Sequence, residues 1–192
     1  MPMTALRLWH RLRLPTAVIA LALLGAAAPA DAQEPFRPLV QGEAPPDFAL
    51  PDTSGRTVRL SDFRGRAILL TFVSCYTDTC LTVLTDLEPL VLKLGPSRLA
   101  ALSVCVEVPA ALKEGGYAGL LSRCGAGQTL LIDEQRATSD RYLATEFPTS
   151  VLVAPDFTVR EVLRGFPALR DPALRARIED MARQVQPAAP AP

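Results

Sequence analysis

Histidine and tryptophan are almost absent from this chain: among 192 residues there is one of each, His10 and Trp9. Both lie in an N-terminal stretch that reads as removable. Arg7, Arg11 and Arg13 form a basic start, and Leu14 to Ala28 form an apolar run too short and too rich in small residues to span a membrane comfortably. Ala30-Asp31-Ala32 is a small-x-small cleavage site. The sequence predicts a signal peptide over 1–32 and a mature chain from Gln33, with an uncleaved anchor as the alternative. No cysteine directly follows the apolar run, which argues against a lipid anchor. The expected mature protein has no histidine. Histidine acid–base catalysis, Ser-His or Cys-His nucleophiles and imidazole-ligated metal sites are then excluded.

Charge of either sign is not in excess. Lys plus Arg number 20 and Asp plus Glu number 20, and removal of 1–32 leaves the chain near neutral. Nothing points to nucleic acid or an anionic membrane surface as partner. No apolar run long enough for a membrane span follows the signal. The mature chain has the size of one ordinary domain, and it holds no internal repeat.

What the mature chain does have is four cysteines: Cys75, Cys80, Cys105 and Cys124. A periplasmic destination, reached through a Sec-type signal, is oxidising, and an even number fits one or two disulfides. Four cysteines allow three pairings; the spacing favours Cys75–Cys80. The first two stand at a particular junction. Ala67 to Val73 is an almost unbroken apolar run, the pattern of a strand covered on both faces. After Cys80, Leu81 to Leu94 carries apolar residues at helical spacing. Two thiols therefore sit where a strand hands over to a helix. Backbone N–H groups at a helix start favour a nearby thiolate.

Along the rest of the chain, 33–43 reads as an extended lead-in. Pro46 to Leu60 reads as two short strands around a turn at Thr53-Ser54-Gly55, and Ser61 to Gly65 as a helical turn closed by Gly65. The helix of about 79–94 ends at Gly95-Pro96, and Pro89 inside it should kink or split it. Strands are expected at 99–107, 129–133, 150–154 and 158–165. Helices are expected at 110–123, at 138–144 with Thr138 or Ser139 as cap, and at 171–184. Asp47, Asp62 and Asp133 read as turn and cap residues. The Ala/Pro tail 187–192 reads as disordered. The order ββ-αβαβαββα, with parallel crossovers first and an antiparallel hairpin last, implies an α/β sandwich with a central mixed sheet over 44–186.

This order, with its strand–Cys…Cys–helix junction and a later proline before a core strand, resembles the thioredoxin-like superfamily over about residues 40–185. The expected fold is a three-layer α/β sandwich with an N-terminal β extension. Ala44-Pro-Pro-Asp-Phe-Ala-Leu-Pro-Asp with Val58-Arg-Leu-Ser-Asp-Phe-Arg-Gly-Arg is similar to the lead segment of the TlpA/ResA, peroxiredoxin and Sco/SenC families. Phe147-Pro-Thr-Ser-Val-Leu-Val looks like the segment that carries the superfamily's cis-proline. The resemblance implies that Pro148 is cis and shapes a partner-docking groove. It also implies that Cys75 attacks and Cys80 resolves. TlpA/ResA proteins use Cys-x-x-Cys, whereas four residues separate the thiols here. Cys80-Leu-Thr-Val-Leu-Thr-Asp-Leu is similar to the start of the Sco/SenC helix. Those proteins bind copper with two cysteines and a histidine, and Glu146 falls where that histidine would be. Thr77 and Cys80 match the peroxiredoxin Thr-x-x-Cys, but Val73 replaces its proline.

Three readings of function result. The leading one is an exported thiol–disulfide oxidoreductase. It uses Cys75, Cys80 and Pro148, needs no bound cofactor and acts on protein thiols or disulfides. By resemblance its setting is the maturation of a cytochrome or an oxidase subunit. The second is a Sco/SenC-like chaperone holding Cu(I) on Cys75 and Cys80, since soft thiolates suit that ion. The third is a degenerate redoxin fold serving as a binding module. Within the site, Asp78 disfavours a neighbouring thiolate while the helix start favours it. Tyr76 offers an apolar contact surface or is a partly buried loop aromatic. Glu146 reads first as a solvated loop carboxylate and second as a proton acceptor or weak ligand. Cys105 reads first as a buried inert thiol. A bridge to Cys124 is the alternative, and exchange with the Cys75–Cys80 pair a third possibility.

Overall fold

The computed structural model describes residues 36–74, 78–107, 125, 127–165 and 171–185, all within the compact unit Glu34–Pro192. The signal peptide expected at 1–32, Cys75, Tyr76 and Thr77, the helix expected at 110–123, Cys124 and the Ala/Pro tail lie outside the described residues.

Two sheets are built. Strands β1 (Ala49–Pro51) and β2 (Thr57–Arg59) pair antiparallel as a small hairpin. Asp52 organises its turn by accepting from Ser54 N at 2.8 Å, Ser54 Oγ at 2.6 Å and Arg56 N at 3.0 Å. Gly55 takes φ 84° in that turn, a conformation cheap only for glycine. A 3-10 turn over Leu60–Phe63 follows. The main sheet has the order β5-β4-β3-β6-β7. Its strands are β3 (Ala67–Ser74), β4 (Leu99–Glu107), β5 (Thr129–Ile132), β6 (Thr149–Val153) and β7 (Val159–Arg164). The neighbours β3, β4 and β5 run parallel, while β6 and β7 pair antiparallel. This is the mixed sheet that the element order implied.

β3 is central, and every residue in it is buried, which is why its apolar run is nearly unbroken. On one face Ile68, Leu70 and Phe72 join Leu102, Val104 and Val151 under the hairpin residues Phe48, Leu50 and Val58. On the other face Ala67, Leu69, Ala101 and Leu152 pack against helix α1 (Asp78–Leu94) and helix α3 (Pro172–Arg183). The two helices are tied by a Lys93–Glu179 ion pair of 2.9 Å. The lead-in is pinned rather than loose: Gly42 N donates to Val159 O at 2.8 Å, and Val159 N donates to Glu43 O at 2.8 Å.

One local expectation is narrowed and one corrected. Of the kink or split expected at Pro89, the split does not occur: α1 is one helix over Asp78–Leu94, and the exposed proline sits among turns held by Leu84, Leu87, Leu90 and Val91 in the core. Helix α2 (Ala137–Arg141) is capped by neither Thr138 nor Ser139. Its free N–H groups go instead to Asp133, which accepts from Ser139 N at 2.7 Å and Thr138 N at 3.4 Å. A carboxylate from the preceding strand end does the same work as a local hydroxyl and adds charge at the helix start.

Candidate thiol site

The carboxyl ends of β3, β4 and β5 finish together, with Val73 opposite Cys105 and Cys105 opposite Ile132. One residue beyond the end of β3 comes Cys75, and α1 begins at Asp78. Cys80 is the third residue of that helix, in its first turn, where N–H groups lack an intrahelical acceptor. Its thiol is free and buried, with 1% of the residue exposed. Of the two cysteines expected at the mouth of the sheet, this one is turned inward. It packs in a small apolar cluster with Val73, Leu84, Cys105, Leu130 and Ile132.

A row of three hydroxyls crosses the sheet next to this cluster. Thr71 stands opposite Ser103 on one side and Ser150 on the other, and all three are buried. The pleat puts Thr71 on the same face as Leu69 and Val73. Thr71 Oγ1 and Ser150 Oγ share a hydrogen bond of 2.8 Å, and Ser103 Oγ donates to Gln128 Oε1 at 2.5 Å. Gln128 Nε2 in turn donates to Leu84 O of α1 at 2.8 Å, and Gly127 N donates to Glu88 Oε1 at 2.9 Å. The loop before β5 is thus clamped onto the helix that carries Cys80.

Pro148 lies just past the last β3–β6 ladder pair, Phe72–Thr149, at the same end of β3. The Phe147–Pro148 bond is cis, as the resemblance implied, and Pro148 is buried. Phe147 packs against the cluster that contains Cys80, so the proline segment and the thiol are brought together. The Arg136 guanidinium lies 5.4 Å from the Phe147 ring centre. Glu146 is exposed; its carbonyl accepts from Thr149 Oγ1. This is the solvated loop carboxylate of the first reading. Asp78 is exposed at the start of α1. Among the described residues, no group of three or more His, Cys, Asp or Glu side chains gathers where it could hold a metal ion.

Cys105 departs from its first reading. It is fully buried but not an inert thiol: it is disulfide-bonded. Cys124, the partner in the alternative reading, lies outside the described residues. A strand interior of apolar residues hides such a bond from sequence inspection, because a half-cystine and a buried thiol occupy similar space. Phe147 was also missed; its only signal was its place before Pro148. The acidic turn residues behave as expected. Asp47 accepts from Ser61 N at 3.0 Å, and Asp62 accepts from Arg59 N at 3.0 Å. Asp52 is held well below the ordinary carboxyl range, at about 2, chiefly by the Ser54 hydroxyl. A groove of about 490 Å³ between the hairpin and β5 is lined by Leu50, Asp52, Ile132 and Asp133, but both aspartates are engaged in the turn and cap already described.

The fold is matched by the comparisons. The model of the AhpC/TSA family fits residues 41–162. A ResA thiol–disulfide oxidoreductase of Geobacillus kaustophilus is 29% identical over 127 residues, covering 65% of this chain and 69% of that protein. The ResA of Bacillus subtilis is 22% identical over 137 residues, covering 65% and 68%. Among solved structures, the exposed lipoprotein thioredoxin of Streptococcus pneumoniae superimposes with a TM-score of 0.58 at 23% identity, covering 70% of this chain and 99% of that one. With its five-stranded mixed sheet, the chain has the thioredoxin-like fold and belongs to the AhpC/TSA family.

Proposed function

We propose that the protein is an exported thiol–disulfide oxidoreductase that works through Cys75 and Cys80, with Pro148 shaping the groove where a partner chain docks. The observation that carries this reading is the free, buried Cys80 in the first turn of α1, packed against the segment of the cis-proline. The ResA relatives support the same chemistry. Exchange needs an attacking thiolate, an accessible partner sulfur and a leaving thiol. In the reducing direction the Cys75 thiolate attacks a partner disulfide. A mixed disulfide forms and one partner thiolate leaves. Cys80, deprotonated, then attacks the Cys75 sulfur. A Cys75–Cys80 bond forms, the second partner thiolate leaves, and two electrons have passed to the partner. Run backwards, the steps oxidise a partner dithiol. Burial protects Cys80 from outside thiols, so the mixed disulfide on Cys75 is the intermediate that must accumulate when Cys80 is removed. No bound cofactor takes part. The signal-like segment 1–32 supports a periplasmic setting, and exported partners such as a cytochrome or an oxidase subunit fit it.

The experiment is trapping. A Cys80→Ser variant mixed with a one-disulfide peptide is expected to hold the peptide covalently on Cys75, while the parent protein releases it. Absence of any adduct overturns the reading. Tight one-to-one Cu(I) binding, lost in Cys75→Ser, together with no adduct, would support the copper-chaperone reading instead. Neither property would leave a binding module.

A further inference from the structure

We infer that Gln128 is a positioning residue for the exchange proposed above: it holds the first turns of α1 on the sheet and so keeps the Cys80 sulfur shielded from outside thiols. The inference rests on that reading of Cys80 and adds a residue to it. The side chain at 128 has the chemistry the place asks for. Leu84 O can only accept, so the amide N–H of Gln128 faces it, with Nε2 donating at 2.8 Å. That leaves Oε1 for Ser103 Oγ, which donates to it at 2.5 Å. An amide carries a donor and an acceptor together, whereas a glutamate carboxylate lacks the donor. Ser103 is fully buried and stands two residues before Cys105 on β4, so both project from one face of the sheet. Gln128 therefore ties that face of β4 directly to the helix carrying Cys80.

The bond lands where it acts on the thiol. Cys80, Leu84 and Glu88 are four residues apart and line one face of α1. Leu84 shares the small apolar cluster with Cys80, and both are buried. Glu88 takes a second bond, from Gly127 N at 2.9 Å. Adjacent loop residues thus grip two successive turns after the thiol. Pro89 follows at once and offers no N–H to the helix ladder, so this part of α1 leans on contacts from outside. The loop is pressed close against it. A Cβ at Gly127 would lie 2.8 Å from Val91 Cγ1, well inside the optimal separation of two carbons. Release of this grip frees the turn that carries Cys80 to move off the sheet, and the shielded thiol becomes reachable.

The test reads Cys80 in the full-length chain carrying Cys75→Ser, so that Cys80 stays reduced and any adduct on it stays in place. Two probes are used, iodoacetamide and a one-disulfide peptide, and mass mapping follows the Cys80 peptide over time. Gln128→Glu keeps an acceptor for Ser103 but loses the donor to Leu84 O. Gly127→Ala pushes the same loop off the helix and leaves Gln128 in place. Both are expected to react at Cys80 at least about tenfold faster than the background chain, equivalent to about 1.4 kcal/mol of lost protection. Asp52→Asn is the control, because it weakens the hairpin on the opposite face and leaves the clamp whole. It is expected to lower the urea midpoint while Cys80 reacts at the background rate. Gln128→Glu reacting at the background rate, or Asp52→Asn reacting as fast as the clamp variants, overturns the inference. The second outcome would mean that Cys80 is exposed only by loss of overall stability. The Cys80→Ser trapping experiment decides the exchange reading separately. If trapping succeeds and Gln128→Glu leaves Cys80 shielded, the role of Gln128 alone fails. If trapping fails, the exchange reading fails and the role assigned to Gln128 with it.

Discussion

Asp52 shows how one side chain links sequence, turn and solution behaviour. Its carboxylate collects the Ser54 hydroxyl, the backbone N–H groups of Ser54 and Arg56, and the Arg56 guanidinium 3.0 Å away. These hold its pKa at about 2 rather than 3.8, against the opposing effect of burial. A folded-state pKa below the unfolded one means that the carboxylate contributes stability above the unfolded value. That contribution fades as pH falls through the folded value. Asp52→Asn is expected to lose about 1.5–3 kcal/mol near neutral pH, the scale of hydrogen bonds to a charged group. The deficit should shrink towards about pH 2, as read from urea midpoints. Tyr142 follows the same logic in the apolar direction. Burial, with Asp47 nearby, pushes its phenol up, out of the titratable range, and it donates to Pro46 O. At this scale the turn at Thr53-Ser54-Gly55 was readable, because a short polar gap ending in Gly names a turn; the part Asp52 plays in it was not. The bonded state of Cys105 was not, because composition does not distinguish a thiol from half a disulfide.

Among the elements, helix α1 carries an internal strain that the site does not require. Pro89 removes one backbone donor in the helix interior, yet the helix runs through it to Leu94. Tertiary packing of Val83, Leu87, Leu90 and Val91 outweighs the local preference. Pro89→Ala is expected to stabilise the fold by about 1–3 kcal/mol, since proline is roughly 3 kcal/mol worse than alanine inside a helix. Exchange activity should be unchanged, and the thermal midpoint together with a peptide-trapping assay checks both. Helix α2 makes the opposite case. Asp133 is buried and accepts from the two N–H groups of its first turn. Asp133→Ala should cost about 1–2 kcal/mol, as lost caps do. A fall in the denaturant midpoint without a change in the slope is the expected result. The periodicity of α1 and the apolar run of β3 were legible because both bury a face over many residues. The cap of α2 was legible in part: Asp133 read as a turn or cap residue, but the hydroxyls of Thr138 and Ser139 were expected to cap this helix. The continuity of α1 was not, because local propensity speaks against it.

For the whole molecule, the sheet order places three parallel strand ends and the proline segment around one thiol. This architecture followed from the alternation of strands and helices, since right-handed crossovers leave few ways to stack them. The detail that matters for chemistry depends on packing across the sheet. Val73 and Cys80 flank one junction, but Cys105 comes from a strand further along the chain, and no local pattern announces that it joins their cluster. That cluster makes Leu84 a sensitive position: it is fully buried and belongs to the helix turn after Cys80. Leu84→Ala is expected to destabilise by about 2–5 kcal/mol through the cavity left behind. It should also expose Cys80 to alkylation by iodoacetamide, which the parent protein resists.

The central claim is that Cys75 and Cys80 form a couple that cycles, with the second thiol held inside. The most direct measurement is the equilibrium reduction potential of this pair in the mature protein against a dithiothreitol or glutathione series, with mass mapping of each state. The account predicts a single reversible two-electron couple at Cys75–Cys80, between about −120 and −270 mV, the range of exchange proteins. A pair that will not bond, or one that stays oxidised below about −300 mV as structural bridges do, would contradict it.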